Sequence, residues 1–217
     1  MMKRFVVDQN RPQEEAIQQA AQALKKGGVV LHPTETVYGL AAVFDEPSAL
    51  QRVLRLKGRS EQQPFSLMVD DISWILNLSG QSAPECKRFL ERVFPAPLTV
   101  LIPRKKKLAA AYWNQFEYLG FRLPEHPLSL RLVQRVGKPI ITTSANLTGQ
   151  PAPSRPKEIA PEIRDGVDVF LDGGETSFKI PSTIVRISWA DGHIECVRSG
   201  AVPFENIKTI FFEELEN

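Results

Sequence analysis

The sequence predicts an α/β fold: a mixed sheet with helices packed on its faces. Two observations carry this. Short apolar runs of strand length recur along the chain, and stretches with helical spacing alternate with them, with several ambiguous switches. Apolar runs this short are too brief for helices, and their alternation with amphipathic stretches is what a helix-covered sheet requires.

The elements follow in order. Pro12 precedes Ala16, Ile17, Ala20, Ala21 and Leu24, which share one face of a helix over 13–26 that Gly27-Gly28 stops. Residues 29–31 form a short apolar strand. It runs straight into Pro33-Thr34-Glu35-Thr36-Val37-Tyr38-Gly39-Leu40, so this octapeptide leaves a strand end. A helix over roughly 48–56 places Leu50, Val53 and Leu54 on one face and ends at Lys57-Gly58-Arg59. Strands over 65–69 and 98–102 flank a helix over 84–94. A strand over 119–123 carries Arg122, a helix covers 127–136, and a strand over 139–142 runs into Thr143-Ser144-Ala145-Asn146. Strands over 167–171, 182–187 and 194–197 and a closing helix over 204–215 complete the chain. The Pro-rich piece 150–156 reads as a loop inside one domain, because periodic structure resumes directly after it.

Composition narrows the function classes. The chain has 217 residues, 42% hydrophobic and 24% charged, ordinary values for a globular protein with a sizeable core. A net charge of +2 is too mild to argue for nucleic-acid binding, but it suits an anionic small substrate held by a few focused cations. Arg104-Lys105-Lys106-Lys107 is the densest basic cluster and reads as a solvated loop or as a contact for tRNA or nucleotide phosphate. Cys86 and Cys196 lie far apart with no CxxC spacing, which argues against a zinc site and a disulfide framework. His32, His126 and His193 are isolated, so no metal ligands are expected from protein side chains; His32 reads as structural. The N-terminus turns polar at Asp8, and no apolar stretch reaches 18 residues. A signal peptide and a membrane span are therefore not expected, and the cytoplasm is the default location.

Three polar constellations sit where strands or helices end. The octapeptide groups Thr34, Glu35, Thr36 and Tyr38, suited to gripping a small polar ligand or to forming a polar turn. Lys57 and Arg59 flank a glycine; they suit a helix C-terminus and equally a phosphate chain. Thr142-Thr143-Ser144-Ala145-Asn146 ends a strand in hydroxyls and an Asn, a cradle for phosphate or sugar or an ordinary Ser/Asn turn. Pro181-Ser182-Thr183 and Arg198-Ser199-Gly200 add weaker polar marks. GxxxxGK[ST], GxGxxG and GxSxG are all missing.

The order PTETVYGL, KGR, FPAPLT, FRLP, TTSAN, PSTIV, RSG resembles the YrdC family of threonylcarbamoyl-AMP synthases over residues 13–200. The resemblance implies a single YrdC-like domain over 1–217, with 201–217 as a tail. It implies a twisted, open α/β sheet around a large concave, positively charged cavity. The implied reaction is that of a nucleotidyltransferase. It joins L-threonine, bicarbonate and ATP with Mg²⁺ into L-threonylcarbamoyladenylate and pyrophosphate, and a separate transferase complex carries the group to adenosine 37 of tRNA. Carried over by motif, Thr34, Tyr38, Arg122, Thr142 and Ser182 would hold threonine. Lys57, Arg59, Thr99, Ser144, Asn146 and Arg198 would hold ATP. Such chemistry rests on positioning and charge neutralisation and needs no protein nucleophile. The sequence departs from the pattern after Lys57-Gly58-Arg59: Met68 stands where many relatives carry a His that contacts threonine. Phe65-Ser66-Leu67-Met68 is also similar to a paralogous branch, so a non-catalytic nucleotide- or RNA-binding protein is the alternative. The related module of hydrogenase-maturation carbamoyltransferases sits in a far longer chain with zinc-finger-like cysteines, which this chain lacks.

Overall fold

The computed structural model describes residues 2–216. Ten strands form one twisted mixed sheet: β1 (Lys3–Val6), β2 (Val30–His32), β3 (Gly39–Val43), β4 (Ser66–Met68), β5 (Leu98–Pro103), β6 (Tyr118–Arg122), β7 (Ile140–Ser144), β8 (Val169–Asp172), β9 (Thr183–Ser188) and β10 (His193–Arg198). Their order across the sheet is β1-β8-β2-β3-β7-β4-β6-β5-β9-β10. The pairs β1–β8, β2–β8, β4–β6 and β5–β9 are parallel and the others antiparallel. The helices are α1 (Glu14–Lys25), α2 (Pro47–Lys57), α3 (Ile72–Ser79), α4 (Pro84–Val93), α5 (Pro127–Val136), α6 (Pro161–Asp165) and α7 (Phe204–Leu215).

The two faces of the sheet are covered unequally, and this inequality creates the site. Strand residues alternate between faces. One face presents Leu31, Leu40, Leu67, Val100, Phe121, Ile141, Phe170 and Val185. It is buried under apolar residues of α2, α3, α4, α6 and α7 in one continuous core. On the other face α1 and α5 cover Val30, Ala41, Val43, Met68, Ile140, Val169 and Leu171, and their cover stops there. Beyond it, β4, β6 and β5 turn Ser66, Gly120, Arg122 and Thr99 outward, Ser182 stands just before β9, and Leu101 and Ile184 add apolar patches. The small and polar positions lie on the phase opposite the apolar core of their strands, so the bare half-face is written in the sequence.

Four elements lie outside the sequence reading; one of them, α6, is a five-residue helix entered at Pro161. β1 is a short edge strand whose Lys3 and Arg4 give no apolar run. β3 is buried on both faces and built of small residues, so it shows no alternation and blends with the octapeptide. α3 is apolar around most of its circumference; Asp71 caps it by accepting from the Ser73 amide at 2.7 Å, and Gly80 closes it at φ 74°. The C-terminal stretch is built into the fold. Glu214 of α7 accepts from Arg88 and Arg92 of α4 at 2.7 and 2.9 Å, and Phe211 is fully buried.

Candidate functional site

The octapeptide is the connection between β2 and β3, and residues 33–40 are all buried. A buried loop must satisfy its backbone internally. Thr34 Oγ1 donates to the Val37 carbonyl at 2.7 Å and accepts from the amides of Thr36 and Val37 at 3.1 and 3.2 Å. Its hydroxyl therefore closes the turn. Two other loops fasten the segment from outside. The Tyr38 amide donates to the Pro153 carbonyl at 2.8 Å. Tyr38 OH donates to the Gly174 carbonyl and accepts from the Gly173 amide, at 2.7 and 3.1 Å. Thr176 Oγ1 donates to the Thr36 carbonyl at 2.7 Å, and the Phe178 amide donates to the Glu35 carbonyl at 2.9 Å. Burial, with the Asp172 carboxylate adding to it, raises the Tyr38 phenol well above its usual range, so it stays a neutral hydrogen-bonding group.

Two neutral histidines support the entry to this loop. His32 Nδ1 donates to the Pro33 carbonyl at 3.0 Å, and burial pushes its pKa down to about 3. His126 Nδ1 pairs with Ser129 Oγ at 2.9 Å and Nε2 with Gln9 Oε1 at 3.0 Å; burial lowers it to about 4. Both are structural, as the isolation of His32 in the sequence suggests.

A cavity of about 350 Å³ lies over the bare half-face, and Thr34, Tyr38, Arg59, Thr99, Arg122, Thr142, Ser144, Ser182 and Arg198 all contribute to its lining. Its floor follows the strand register: Thr142 of β7 stands opposite Ser66 of β4, and Ser66 opposite Gly120 of β6. Gly120 keeps the floor low. A Cβ there would lie 3.0 Å from Leu101 Cδ2 and 3.3 Å from Ser66 Oγ.

Three guanidiniums enter from different walls. Arg59 Nη1 donates to Thr143 Oγ1 at 3.2 Å and Nη2 to the Pro64 carbonyl at 2.8 Å, while its planar group lies 5.1 Å from the Phe65 ring centroid. Arg198 donates to the Ser182 carbonyl and hydroxyl. Arg122 pairs with Glu35 and donates to Thr36 Oγ1 at 3.3 Å. Lys57 and Asn146 stand behind the wall. The Lys57 ammonium donates to the carbonyls of Ser144 and Asn146 (the latter at 2.8 Å) and to Asn146 Oδ1 at 3.3 Å. Burial and then the nearby Arg59 lower its pKa to about 8. Lys57 thus ties the Ser144–Asn146 loop to α2, and Arg59 is the member of the KGR motif that faces the cavity.

Other expectations resolve differently. Met68 is fully buried beneath α5 and does not line the cavity. The guanidinium of Arg104 is spent on the carbonyls of Lys106, Asn114 and Phe116, and Lys106 Nζ on Asn77 Oδ1, so much of the basic run is local structure. Sequence reasoning passed over Ser66 and Gly120, and it grouped Glu35 with the ligand-gripping residues of the octapeptide without naming Arg122 as its partner. Ser66 and Gly120 were both discoverable as the small residues in the polar phase of apolar strands.

Fold and site together define an α/β protein with an open ligand cavity on the uncovered half of a mixed sheet, lined by hydroxyls and guanidiniums. The chain belongs to the Sua5/YciO/YrdC family, whose model, described as telomere recombination, matches residues 22–200. It is 33% identical over 206 residues to the threonylcarbamoyl-AMP synthase of Bacillus subtilis, a match covering 94% of this chain and 59% of that protein. The crystal structure of Pyrococcus abyssi Sua5 complexed with L-threonine superposes with a TM-score of 0.85 at 27% identity, over 97% of this chain and 60% of that one. Escherichia coli YciO superposes with a TM-score of 0.84 at 25% identity, over 95% of this chain and 100% of that one. The chain thus spans about three fifths of the length of the first two relatives. Among the described residues no helix is long and apolar enough to cross a membrane.

Proposed function

We propose that this chain is an L-threonylcarbamoyladenylate synthase of the cytoplasm, a nucleotidyltransferase that forms its product and pyrophosphate from L-threonine, bicarbonate and ATP. The observation that carries the reading is the cavity itself: three guanidiniums and a hydroxyl floor converge on one open space. The family membership and the threonine held by the P. abyssi relative support it.

In this reading Arg59 and Arg198 neutralise the triphosphate, and the Ser144–Asn146 loop, held by Lys57, cradles the nucleotide. Arg122 takes the threonine carboxylate, with Thr142 and Ser182 beside it. Thr34 and Tyr38 act by holding the octapeptide wall in shape, because their hydroxyls are already committed. In this reading Thr99 faces the nucleotide, and its hydrogen bond with Ser182 joins the two parts of the site. The cavity lining carries no carboxylate, so Mg²⁺ enters as part of the ATP complex, held by phosphate oxygens. The threonine amino group, once it has lost its proton to solvent, attacks bicarbonate and water leaves; an oxygen of the resulting carbamate attacks the α-phosphorus and pyrophosphate leaves. The protein's part is alignment and charge neutralisation, and the cavity charge is accordingly positive. The product is passed to a threonylcarbamoyl transferase acting on tRNA.

The test is direct. The protein is incubated with ATP, bicarbonate and threonine, and pyrophosphate and the AMP adduct are measured. Threonine- and bicarbonate-dependent product is expected. ATP binding without product would favour the non-catalytic alternative.

A further inference from the structure

The three cavity guanidiniums differ in one respect: their partners. Arg59 donates to a hydroxyl and a carbonyl, and Arg198 to a carbonyl and a hydroxyl. Both keep their full charge. Arg122 alone among the three has a carboxylate partner among the described residues, Glu35. The pair is buried on both sides, with side-chain exposures of 8% and 5%. A buried ion pair of this kind is weak evidence for stability, since desolvating both ions offsets their attraction, so its presence at a ligand cavity asks for another reason. Each ion also keeps unused capacity: Arg122 Nε and Glu35 Oε2 are buried and have no hydrogen-bond partner. The Glu35 backbone is fixed by the Phe178 amide, and its carboxylate by Arg122.

We infer that Glu35 is a positioning residue that makes the Arg122 corner of the cavity charge-balanced and so selects a zwitterionic ligand over an anionic one. The inference rests on the proposed function and deepens it: the zwitterion is the free amino acid. Glu35 holds one edge of the guanidinium, which fixes the approach of the ligand carboxylate to the rest. Its negative charge favours an α-ammonium group on a ligand whose carboxylate is held by Arg122. The same charge discourages phosphate from occupying Arg122, which leaves Arg59 and Arg198, whose charges are not offset, as the polyphosphate wall. Two chemically different anionic groups are thereby sorted by what stands behind each arginine.

The test compares L-threonine with 2,3-dihydroxybutanoate, which has the same carboxylate and nearly the same shape but a hydroxyl in place of the ammonium. Calorimetry is run at neutral pH on the wild-type protein and on Glu35→Gln, which keeps a hydrogen-bond acceptor for Arg122 and removes the charge. The wild type is expected to favour threonine, and in Glu35→Gln this preference should shrink about tenfold, the scale of one charge-assisted interaction. A purely structural Glu35 would alter stability and leave the ratio unmoved; an unchanged ratio in folded Glu35→Gln overturns the inference. If the variant does not fold, a salt titration of the wild type decides. A charge-balanced corner makes the affinity for the anionic 2,3-dihydroxybutanoate nearly flat with ionic strength, and a marked fall with salt overturns it. Wild type that binds ATP but not threonine overturns the proposed function together with this inference, whereas threonine binding with an unmoved ratio overturns the inference alone.

Discussion

Thr99 Oγ1 and Ser182 Oγ lie 3.0 Å apart where the parallel strands β5 and β9 meet at the cavity edge. Both residues are nearly fully buried. Arg198 Nη2 donates to the same Ser182 hydroxyl at 3.1 Å, so the FPAPLT, PSTIV and RSG segments share one small network. Thr99→Val and Ser182→Ala are each expected to destabilise the protein by about 1–2 kcal/mol, the cost of leaving a buried hydroxyl short of a partner. Because they remove the same bond, the double variant should cost less than the sum by about 1 kcal/mol. Urea unfolding of the four proteins measures this, and strict additivity would show the contact to be idle.

Lys57 gives a pH-dependent stability with a sign opposite to that of a salt-bridged lysine. Its ammonium faces carbonyls and an amide oxygen, and burial lowers its folded pKa from 10.5 to about 8. Between these values the unfolded chain holds a proton that the folded chain has released, so stability rises with pH through that window. Below about pH 8 both states are protonated and the cost of burying the charge is fully present. Lys57→Met, similar in shape but uncharged, should flatten this rise. Thermal melts of both proteins from neutral pH to about pH 10 compare the slopes, and parallel curves would exclude Lys57 as the source.

The glycine of Arg198-Ser199-Gly200 is a packing requirement. A Cβ on Gly200 would lie 2.4 Å from the Pro181 carbonyl oxygen and 2.5 Å from both the Ser182 carbonyl carbon and the Thr183 nitrogen. These are backbone atoms that cannot swing aside. Gly200→Ala is therefore expected to push the 181–183 backbone away, costing about 1–3 kcal/mol. Arg198 should also lose its bonds to Ser182, and with them some ATP affinity. A variant as stable as wild type, with the same nucleotide affinity by calorimetry, would show that this close approach is not needed.

Most of the sheet was legible because its strands carry an apolar phase of Val, Ile, Leu and Phe. Residues 98–102 and 182–187 even display both faces, the buried core and the cavity floor. What stayed hidden depends on partners distant in the chain. The octapeptide reads as polar, yet residues 33–40 are buried, because loops at 153–154 and 173–178 supply hydrogen bonds that no local pattern announces. β3 was lost for the same reason: two-sided burial removes alternation. Lys57 and Arg59 are indistinguishable as cations in a motif, and only the helix end at Gly58, with φ 58°, turns one inward against the Ser144 loop and the other toward the cavity.

Met68 is the sharpest test of motif transfer against geometry. Its position in the sequence aligns it with a threonine contact, but in the sheet it pairs with Ile140 on one side and Arg122 on the other, beneath α5. With no exposed surface it fills the core where the helical cover ends, one strand position short of the cavity floor. Met68→Leu conserves volume and should change neither stability by more than about 1.5 kcal/mol nor threonine affinity. Met68→Ala should destabilise by about 2–5 kcal/mol through the void it leaves. At a temperature where that variant remains folded, threonine affinity is expected to stay within about twofold of wild type, since a core void is not a lost ligand contact. A large loss of threonine affinity in the stable Met68→Leu variant would mean that the thioether reaches the substrate and that the floor opens in the bound state. Preserved affinity means that the amino-acid pocket ends at Arg122, whose orientation depends on Glu35 and not on the residue beside it in the sheet.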